Sequence, residues 1–297
     1  MSGAPLSGWP LWWRLLLISA LWATSFPVVR LITRSMPPFA LSFGRGVAAV
    51  LVMLGFALAT GAFRGVPRGI WRHGMLLGTT NGWLPNCLIS VALISMGAAA
   101  VALIQSTTPL FVALLAFAFL PAERPGGRTL AGMAVGFAGI AVILGPQALL
   151  GGHGLLAGGL VLLGALSYAA GTIYVRLRQP GSPVALSVGQ QAGSAVGAGV
   201  MTLFFEPAGA FDQPMEVWGA VLWVGVVGSA LPLTLYLALA QRARATDAAM
   251  TGYLQPGFAA LFAAPLLGEW PEPRVWLGGA VVLLGVWLAT GRRERGP

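Results

Sequence analysis

Residues 38–45 read PFALSFGR and return as PVALSVGQ at residues 183–190, and this repeated octet decides how the chain is organised. The offset between the two copies is 145 residues. Further residues return in the same order at offsets of 146 or 147: Gly78 and Pro85 as Gly225 and Pro232, Pro109 as Pro256, and Glu123, Gly132 and Gly139 as Glu269, Gly278 and Gly285. A common order at a nearly common spacing indicates an internal duplication. We therefore predict two domains of one type, at residues 11–146 and 153–291.

The composition is that of a chain immersed in lipid. Of the 297 residues, 57% are hydrophobic and only 8% are charged, and the mean hydropathy is +0.82. Soluble domains carry about 25% charged residues, whereas a membrane-spanning helix needs roughly 20 apolar residues. We predict an all-α membrane protein with ten transmembrane helices. Their expected positions are 11–32, 38–60, 71–95, 98–119, 129–144, 155–175, 183–205, 217–240, 247–267 and 275–290.

Arginine placement predicts the orientation of these helices. All 17 basic residues are arginines, in short clusters between apolar runs, which is unlike the basic stripe of a nucleic-acid-binding protein. With a cytoplasmic N-terminus, thirteen arginines fall on the cytoplasmic side: Arg14, Arg64, Arg68, Arg72, Arg124, Arg128, Arg176, Arg178, Arg242, Arg244, Arg292, Arg293 and Arg295. Only Arg30, Arg34 and Arg274 fall on the far side, and Arg45 lies within a helix. Cytoplasmic loops are enriched in arginine, so both termini are expected in the cytoplasm. The first apolar run follows no basic segment and precedes no small-residue cleavage site, so we expect it to be retained.

Five helices per repeat place the second repeat upside down relative to the first. Two inverted repeats typically enclose a site near the middle of the bilayer, which opens to each side of the membrane in turn. This architecture favours a small-molecule transporter in contact with membrane lipid. A monomer and an oligomer are both compatible with it.

Several motifs resemble the drug/metabolite transporter superfamily, and specifically its ten-helix branch with two EamA-type domains. They are WATSFP at residues 22–27, Arg45 in the second helix, the segment from Pro109 through Leu120 to Glu123, its counterpart from Pro256 through Leu267 to Glu269, and the glycine-spaced last helix. The resemblance implies export of amino acids, including aromatic ones, of other metabolites or of drugs across a bacterial inner membrane. One position departs from the repeat, because Gln190 stands where Arg45 has its counterpart.

Arg45 is the first candidate for substrate binding. A charge at the centre of a spanning helix costs about 2.5–3.5 kcal/mol on insertion scales, so its presence requires a reason. The side chain either binds a substrate carboxylate or gates the cavity, or it serves helix packing by bonding to backbone carbonyls.

The other candidates lie beside prolines or are repeat counterparts of one another. Trp22 and Tyr168 are counterparts and offer aromatic faces, and polar side chains precede the repeated prolines. The full set of predicted substrate-binding residues is Trp22, Arg45, Asn81, Trp83, Asn86, Gln105, Tyr168, Gln190, Ser229, Tyr253 and Gln255. Kinks are predicted at Pro27, Pro85, Pro109, Pro232 and Pro256. Hydrogen bonding between helices at these kinks is an equally valid interpretation of the polar residues.

The scarcity of acids within the predicted helices, and of residues typical of catalysis or metal binding, reduces the number of possible functions. None of the eight acids lies in the middle of a predicted helix, since Asp247 and Glu206 are at helix ends. Transport is therefore expected to proceed without a membrane-embedded carboxylate as proton relay. Cys87 is the only cysteine, and no set of residues typical of catalysis or metal binding occurs, so we expect no enzyme activity, metal or cofactor. The alternatives are a multidrug or organic-cation exporter and, with less support, a lipid flippase or a membrane-embedded enzyme.

Overall fold

The computed structural model describes residues 6–96, 98–120, 125–144, 154–268 and 273–290, and within these ranges the regular elements are helices. They form ten helical rods, several of them interrupted: α1 (Trp9–Ile32), α2 (Pro38–Thr60), α3 (Ile70–Gly78, Thr79–Trp83 and Leu84–Ser95), α4 (Ala98–Gln105 and Thr108–Phe119), α5 (Gly127–Leu144), α6 (Gly154–Arg178), α7 (Pro183–Phe205), α8 (Met215–Arg242), α9 (Ala245–Ala249 and Thr251–Leu267) and α10 (Pro273–Thr290). The predicted helices agree with these rods to within a few residues at each end.

The rods carry the apolar surface that a lipid bilayer requires. Four of them contain a stretch long and apolar enough to cross a membrane: Trp9–Ile32, Pro38–Thr60, Leu156–Arg178 and Met215–Arg242. Large apolar side chains on the outside of the bundle are exposed, among them Phe56, Phe204 and Trp287. Exposed apolar area on this scale does not suit a soluble monomer. The chain is an all-helical membrane protein.

Most of the described arginines lie at one end of the bundle, where hydrogen bonds connect the ends of several helices. The Leu6 N–H donates to the Arg242 carbonyl at 3.2 Å, and Arg176 donates to the Gln241 carbonyl at 3.1 Å. A hydrogen bond of 2.6 Å joins His73 and Tyr174, connecting the start of α3 to the end of α6. We call this the arginine-rich end; its arginines are Arg14, Arg64, Arg68, Arg72, Arg128, Arg176, Arg178, Arg242 and Arg244. Arg124, Arg292, Arg293 and Arg295, like Glu123 and Glu269, lie outside the described residues.

The opposite end is held together by a carboxylate. Glu206 follows α7 and accepts hydrogen bonds from the backbone N–H groups of Phe39 and Ala40, both at 2.7 Å. These N–H groups belong to the first turn of α2 and have no partner within the helix, so the carboxylate caps α2 and complements its dipole. Gln213 adds a hydrogen bond of 3.2 Å to the Ser35 carbonyl.

Glycines let the helices approach each other closely. A Cβ atom at Gly78 of α3 would lie 2.7 Å from the carbonyl oxygen of Gln190 in α7, and a Cβ atom at Gly225 of α8 would lie 2.7 Å from the carbonyl oxygen of Arg45 in α2. In the third tight pair, a Cβ atom at Gly132 of α5 would lie 2.7 Å from the carbonyl oxygen of Gly285 in α10. Small residues of this kind allow van der Waals contact between backbones, which drives helix association in lipid.

A leucine at Gly78 or at Gly225 should push apart helices whose backbones are in contact. We expect Gly78→Leu and Gly225→Leu each to destabilise the protein by about 1–3 kcal/mol or more, as overpacking does. The matched control is Gly219→Leu, also in α8, because nothing lies within 4 Å of a Cβ atom there. Thermal unfolding of the purified variants in detergent is the measurement. Equal stability of Gly225→Leu and Gly219→Leu would contradict the packing described.

Candidate functional site

A large cavity lies among eight of the ten rods. Its empty volume, including the space at its opening, is about 1080 Å³, and it is lined from α1, α2, α3, α4, α6, α7, α8 and α9. We call it the central cavity. The described parts of α5 and α10 contribute no lining residue; they pack against each other through Gly132, Gly139, Gly278 and Gly285. The cavity volume, which includes space at the opening, is close to the upper end of the range for small-molecule binding sites, about 300–1,000 Å³.

Interruptions in the helices bring polar groups to this cavity. In α3 a π-helical turn, Thr79–Trp83, stands just before Pro85, and in α8 another, Val226–Ala230, stands just before Pro232. The breaks in α4 and α9 likewise precede Pro109 and Pro256. Proline has no N–H and clashes with the carbonyl four residues earlier, so the helix distorts on the N-terminal side of each proline.

Side chains bond the carbonyls that four of these prolines release. Gln190 Nε2 donates to the Asn81 carbonyl at 3.1 Å, and Ser25 Oγ to the Gly228 carbonyl at 3.3 Å. Thr108 Oγ1 donates to the Gln105 carbonyl and Ser106 Oγ to the Gly252 carbonyl, both at 2.6 Å. Each of these carbonyls belongs to the residue four positions before a predicted kink proline. The amide nitrogen of Gln190 thus replaces the backbone hydrogen bond that the Asn81 carbonyl loses because Pro85 has no N–H.

Arg45 is the cation of the cavity. Its Nε and Nη2 atoms donate to Ser229 Oγ at 3.1 and 2.7 Å, and Ser229 Oγ donates in turn to the Val224 carbonyl at 2.7 Å. Among the described residues, no carboxylate lines the cavity or pairs with this guanidinium. Glu206 and Asp247, the two acids predicted to lie at helix ends, do not bond Arg45. Glu206 caps α2, and Asp247 pairs with Arg244 at 2.6 Å. The cavity therefore has a net positive charge.

Aromatic rings and hydroxyl groups also line the cavity. The rings of Trp22 and Tyr236 lie 5.0 Å apart, and the Tyr236 hydroxyl is 2.7 Å from Thr172 Oγ1. The Tyr168 hydroxyl donates to Asn86 Oδ1 at 2.8 Å. Aromatic faces beside fixed polar groups suit a ligand with one apolar and one polar end.

The structure brings nine of the eleven predicted binding residues to the central cavity: Trp22, Arg45, Asn81, Asn86, Gln105, Tyr168, Gln190, Ser229 and Gln255. It does not bring Trp83 or Tyr253 there. The Trp83 indole packs on Gly197 of α7, and Tyr253 is fully buried beside Gly136 of α5. Each of these two lies two residues from a cavity-lining residue, Asn81 or Gln255, and two residues rotate a side chain by about 200° around a helix.

Other lining residues were absent from the prediction. They include Ser25, Thr108, Thr172, Gln191, Tyr236 and Thr251. Helical periodicity could have found two of them, because Thr172 stands four residues after Tyr168 and Tyr236 stands seven after Ser229. In the described part of the chain, no group of three His, Cys, Asp or Glu side chains is placed to hold a metal ion.

Several of the known proteins that are similar to this chain are named as transporters or exporters. Residues 11–145 and 155–291 each match the EamA-like transporter family. An uncharacterized inner membrane transporter of Escherichia coli, YedA, is 28% identical over 290 residues, which cover 95% of this chain and 90% of the relative. A probable terminal-alkyne amino-acid exporter of Streptantibioticus cattleyicolor is 28% identical over 296 residues, covering 94% and 93% of the two chains. One crystal structure, 21% identical, covers 97% of this chain and 99% of its own with a TM-score of 0.77, which shows a shared fold alone.

Two tyrosine substitutions should have different effects on stability. Tyr168→Phe removes a hydrogen bond to Asn86 and should cost about 0.5–1.5 kcal/mol. The Tyr253 hydroxyl is buried and has no hydrogen-bonding partner among the described residues. Tyr253→Phe removes a polar group whose burial without a partner costs about 1–3 kcal/mol, so it should leave stability unchanged or raise it. Thermal unfolding of both variants in one detergent tests this, and a larger loss in Tyr253→Phe than in Tyr168→Phe would contradict it.

Proposed function

The chain belongs to the EamA-like transporter family, and from this premise we propose that it exports small metabolites, foremost amino acids with apolar or aromatic side chains, by alternating access around the central cavity. The observation that carries the proposal is the lining of that cavity. One guanidinium, which has no carboxylate partner among the described residues, lines the cavity together with amide groups and an aromatic pair inside a bundle of membrane helices.

Two domains in inverted orientation are part of the proposal, at residues 11–146 and 153–291. The two π-helical turns support it, because Thr79–Trp83 and Val226–Ala230 stand at equivalent positions of the two halves. The close glycine contacts support it as well. Gly78 meets the Gln190 carbonyl and Gly225 meets the Arg45 carbonyl, so both partners of one contact are the repeat counterparts of the partners of the other. Inverted repeats provide two nearly equivalent arrangements, one open to each side of the membrane.

The orientation we propose places both termini in the cytoplasm of a bacterial cell, with the bundle in its inner membrane. Nine described arginines lie at the arginine-rich end, whereas Arg30, Arg34 and Arg274 lie toward the other end. This asymmetry supports a cytoplasmic arginine-rich end. The relative YedA, named as an inner membrane transporter, supports the same membrane.

The chemistry of the cavity supports an amino acid as the substrate. The N–H groups of Arg45 that Ser229 does not occupy would bind the carboxylate, since guanidinium and carboxylate form strong charge-assisted hydrogen bonds. The amide groups of Asn86 and Gln255 offer oxygens that would accept from the ammonium group. Trp22 and Tyr236 would pack on the apolar side chain. The Streptantibioticus relative, named as an amino-acid exporter, supports this class of substrate.

The alternatives receive less support. An organic cation would be repelled by Arg45, and no carboxylate of the described lining would attract it. An enzyme requires a nucleophile, an acid–base pair or a metal site, and the lining offers amides and hydroxyls with one arginine instead. A lipid flippase would need a groove open along the membrane, whereas the lining of the central cavity is drawn from eight rods that surround it.

Substitutions in the cavity should reduce export without preventing folding. Arg45→Ala removes a charge-assisted contact worth about 1.5–3 kcal/mol, so the affinity for an amino acid should fall on the order of 10- to 100-fold. Asn81→Ala and Gln255→Ala remove neutral hydrogen bonds and should have effects of a few-fold. The measurement is flux of a panel of amino acids and organic cations in proteoliposomes. Arg34→Ala, an exposed arginine outside the cavity, is the matched control; unchanged flux in all three cavity variants would place the binding site elsewhere.

A proton gradient should not drive the transport. None of the described residues that line the central cavity is a carboxylate that could carry a proton across the membrane, which is the usual relay in proton-coupled transporters. In everted vesicles, imposing a pH gradient should leave the steady-state accumulation of substrate unchanged. Concentrative uptake that appears with the gradient and collapses with a protonophore would refute this expectation.

A further inference from the structure

A second depression lies between α1 and α8 at the arginine-rich end, and we call it the α1–α8 groove. Its walls are apolar, formed by Leu6, Trp13, Leu17, Ile18, Leu235, Ala238 and Leu239, and its two charged residues are Arg14 and Arg242. The groove has an empty volume of about 610 Å³. It is separate from the central cavity, with which it has no lining residue in common.

The two arginines keep N–H groups available. The Arg14 guanidinium lies over the Trp13 ring, 4.3 Å from its centroid, and uses one N–H on the Pro10 carbonyl. The Arg242 side chain is exposed and has no hydrogen-bonding or ionic partner in the described part of the chain. The backbone carbonyl of Arg242 accepts a hydrogen bond from the Leu6 N–H at 3.2 Å. The described residues that line the groove include no acidic side chain.

The polarity of the groove changes along its length as the polarity of a lipid does. Arg242 is the last residue of α8, and Arg14 stands in the second turn of α1, so the charges lie at the end of the bundle. Leu17 and Leu235 stand further into the helices, and Leu17 and Trp13 are about 40% exposed on the outer face. Arginines near helix ends lie at the level of the lipid headgroups, and apolar residues deeper in the helix face acyl chains.

We propose that the α1–α8 groove binds an anionic phospholipid. The phosphate lies between Arg14 and Arg242, where guanidinium groups offer paired N–H donors, and an acyl chain lies along Leu17 and Leu235. A soluble anion would use the charges but leave this apolar wall unused. The lipid bridges α1 and α8 and therefore stabilises their packing at the arginine-rich end. The same two helices carry Trp22 and Tyr236 at the central cavity.

The test compares lipids and variants on the intact protein. Purified protein in nanodiscs of phosphatidylcholine, with or without a minor fraction of phosphatidylglycerol, is measured by thermal unfolding, and retained lipid is counted by native mass spectrometry. Each of Arg14→Gln and Arg242→Gln should weaken phosphatidylglycerol binding about fivefold, and the double variant about 25-fold. Arg178→Gln is the matched control, because Arg178 is an exposed arginine at the same end that does not line the groove.

The outcomes separate the lipid from other ligands. Stabilisation by phosphatidylglycerol in the wild type and in Arg178→Gln, lost in the double variant, supports the proposal. Equal binding in the double variant and in Arg178→Gln overturns it, and so does equal stabilisation by inorganic phosphate in phosphatidylcholine nanodiscs. If the double variant does not fold, the single variants are tested by quenching of tryptophan fluorescence with brominated phosphatidylglycerol. Quenching as strong as in wild-type protein at equal lipid fraction, in both single variants, refutes the site.

Discussion

Backbone carbonyls inside a bilayer have no water to bond, and this constraint shapes the polar interior of the protein. Each kink proline removes one hydrogen bond, and the released carbonyl needs another donor. Four such carbonyls, those of Asn81, Gln105, Gly228 and Gly252, are bonded by side chains. Three of the donors, Gln190, Ser25 and Thr108, also line the central cavity. The repair of interrupted helices and the construction of a polar pocket are therefore one structural arrangement.

The same constraint explains why the two halves differ at one position. Gln190 and Arg45 are repeat counterparts, yet the amide is used on the carbonyl released by Pro85, whereas the guanidinium bonds a hydroxyl and keeps further N–H groups. The Gly228 carbonyl, which corresponds to that of Asn81, is bonded from Ser25 instead. Because Ser25 donates to the Gly228 carbonyl, residue 45 is not needed for that hydrogen bond and can be an arginine. This asymmetry gives the cavity one positive pole.

The number of helices, their bounds within a few residues, and the residues near the kinks could be predicted from the sequence. Apolar runs of membrane length and repeated prolines are strong signals, so helices such as Pro38–Thr60 and Pro183–Phe205 were found at their observed bounds. Rotation about the helix axis was harder to predict. A helix surrounded by apolar residues gives no face to orient it, and a π-helical turn changes the rotation that follows it. Trp83 and Tyr253 lie outside the central cavity for this reason, whereas their neighbours Asn81 and Gln255 line it.

The carboxylate of Glu206 has a mechanical consequence. It holds the first turn of α2 to the end of α7, and Gly46 of α2 packs on the backbone of Ala195 in α7, so the two helices are joined at two heights. Arg45 is carried on one of them and Gln190 on the other. These two contacts, rather than the ligand, therefore set the position of Arg45 relative to Gln190 along the helix axes. In the alternating-access cycle that we propose, these two residues should therefore move together as one unit.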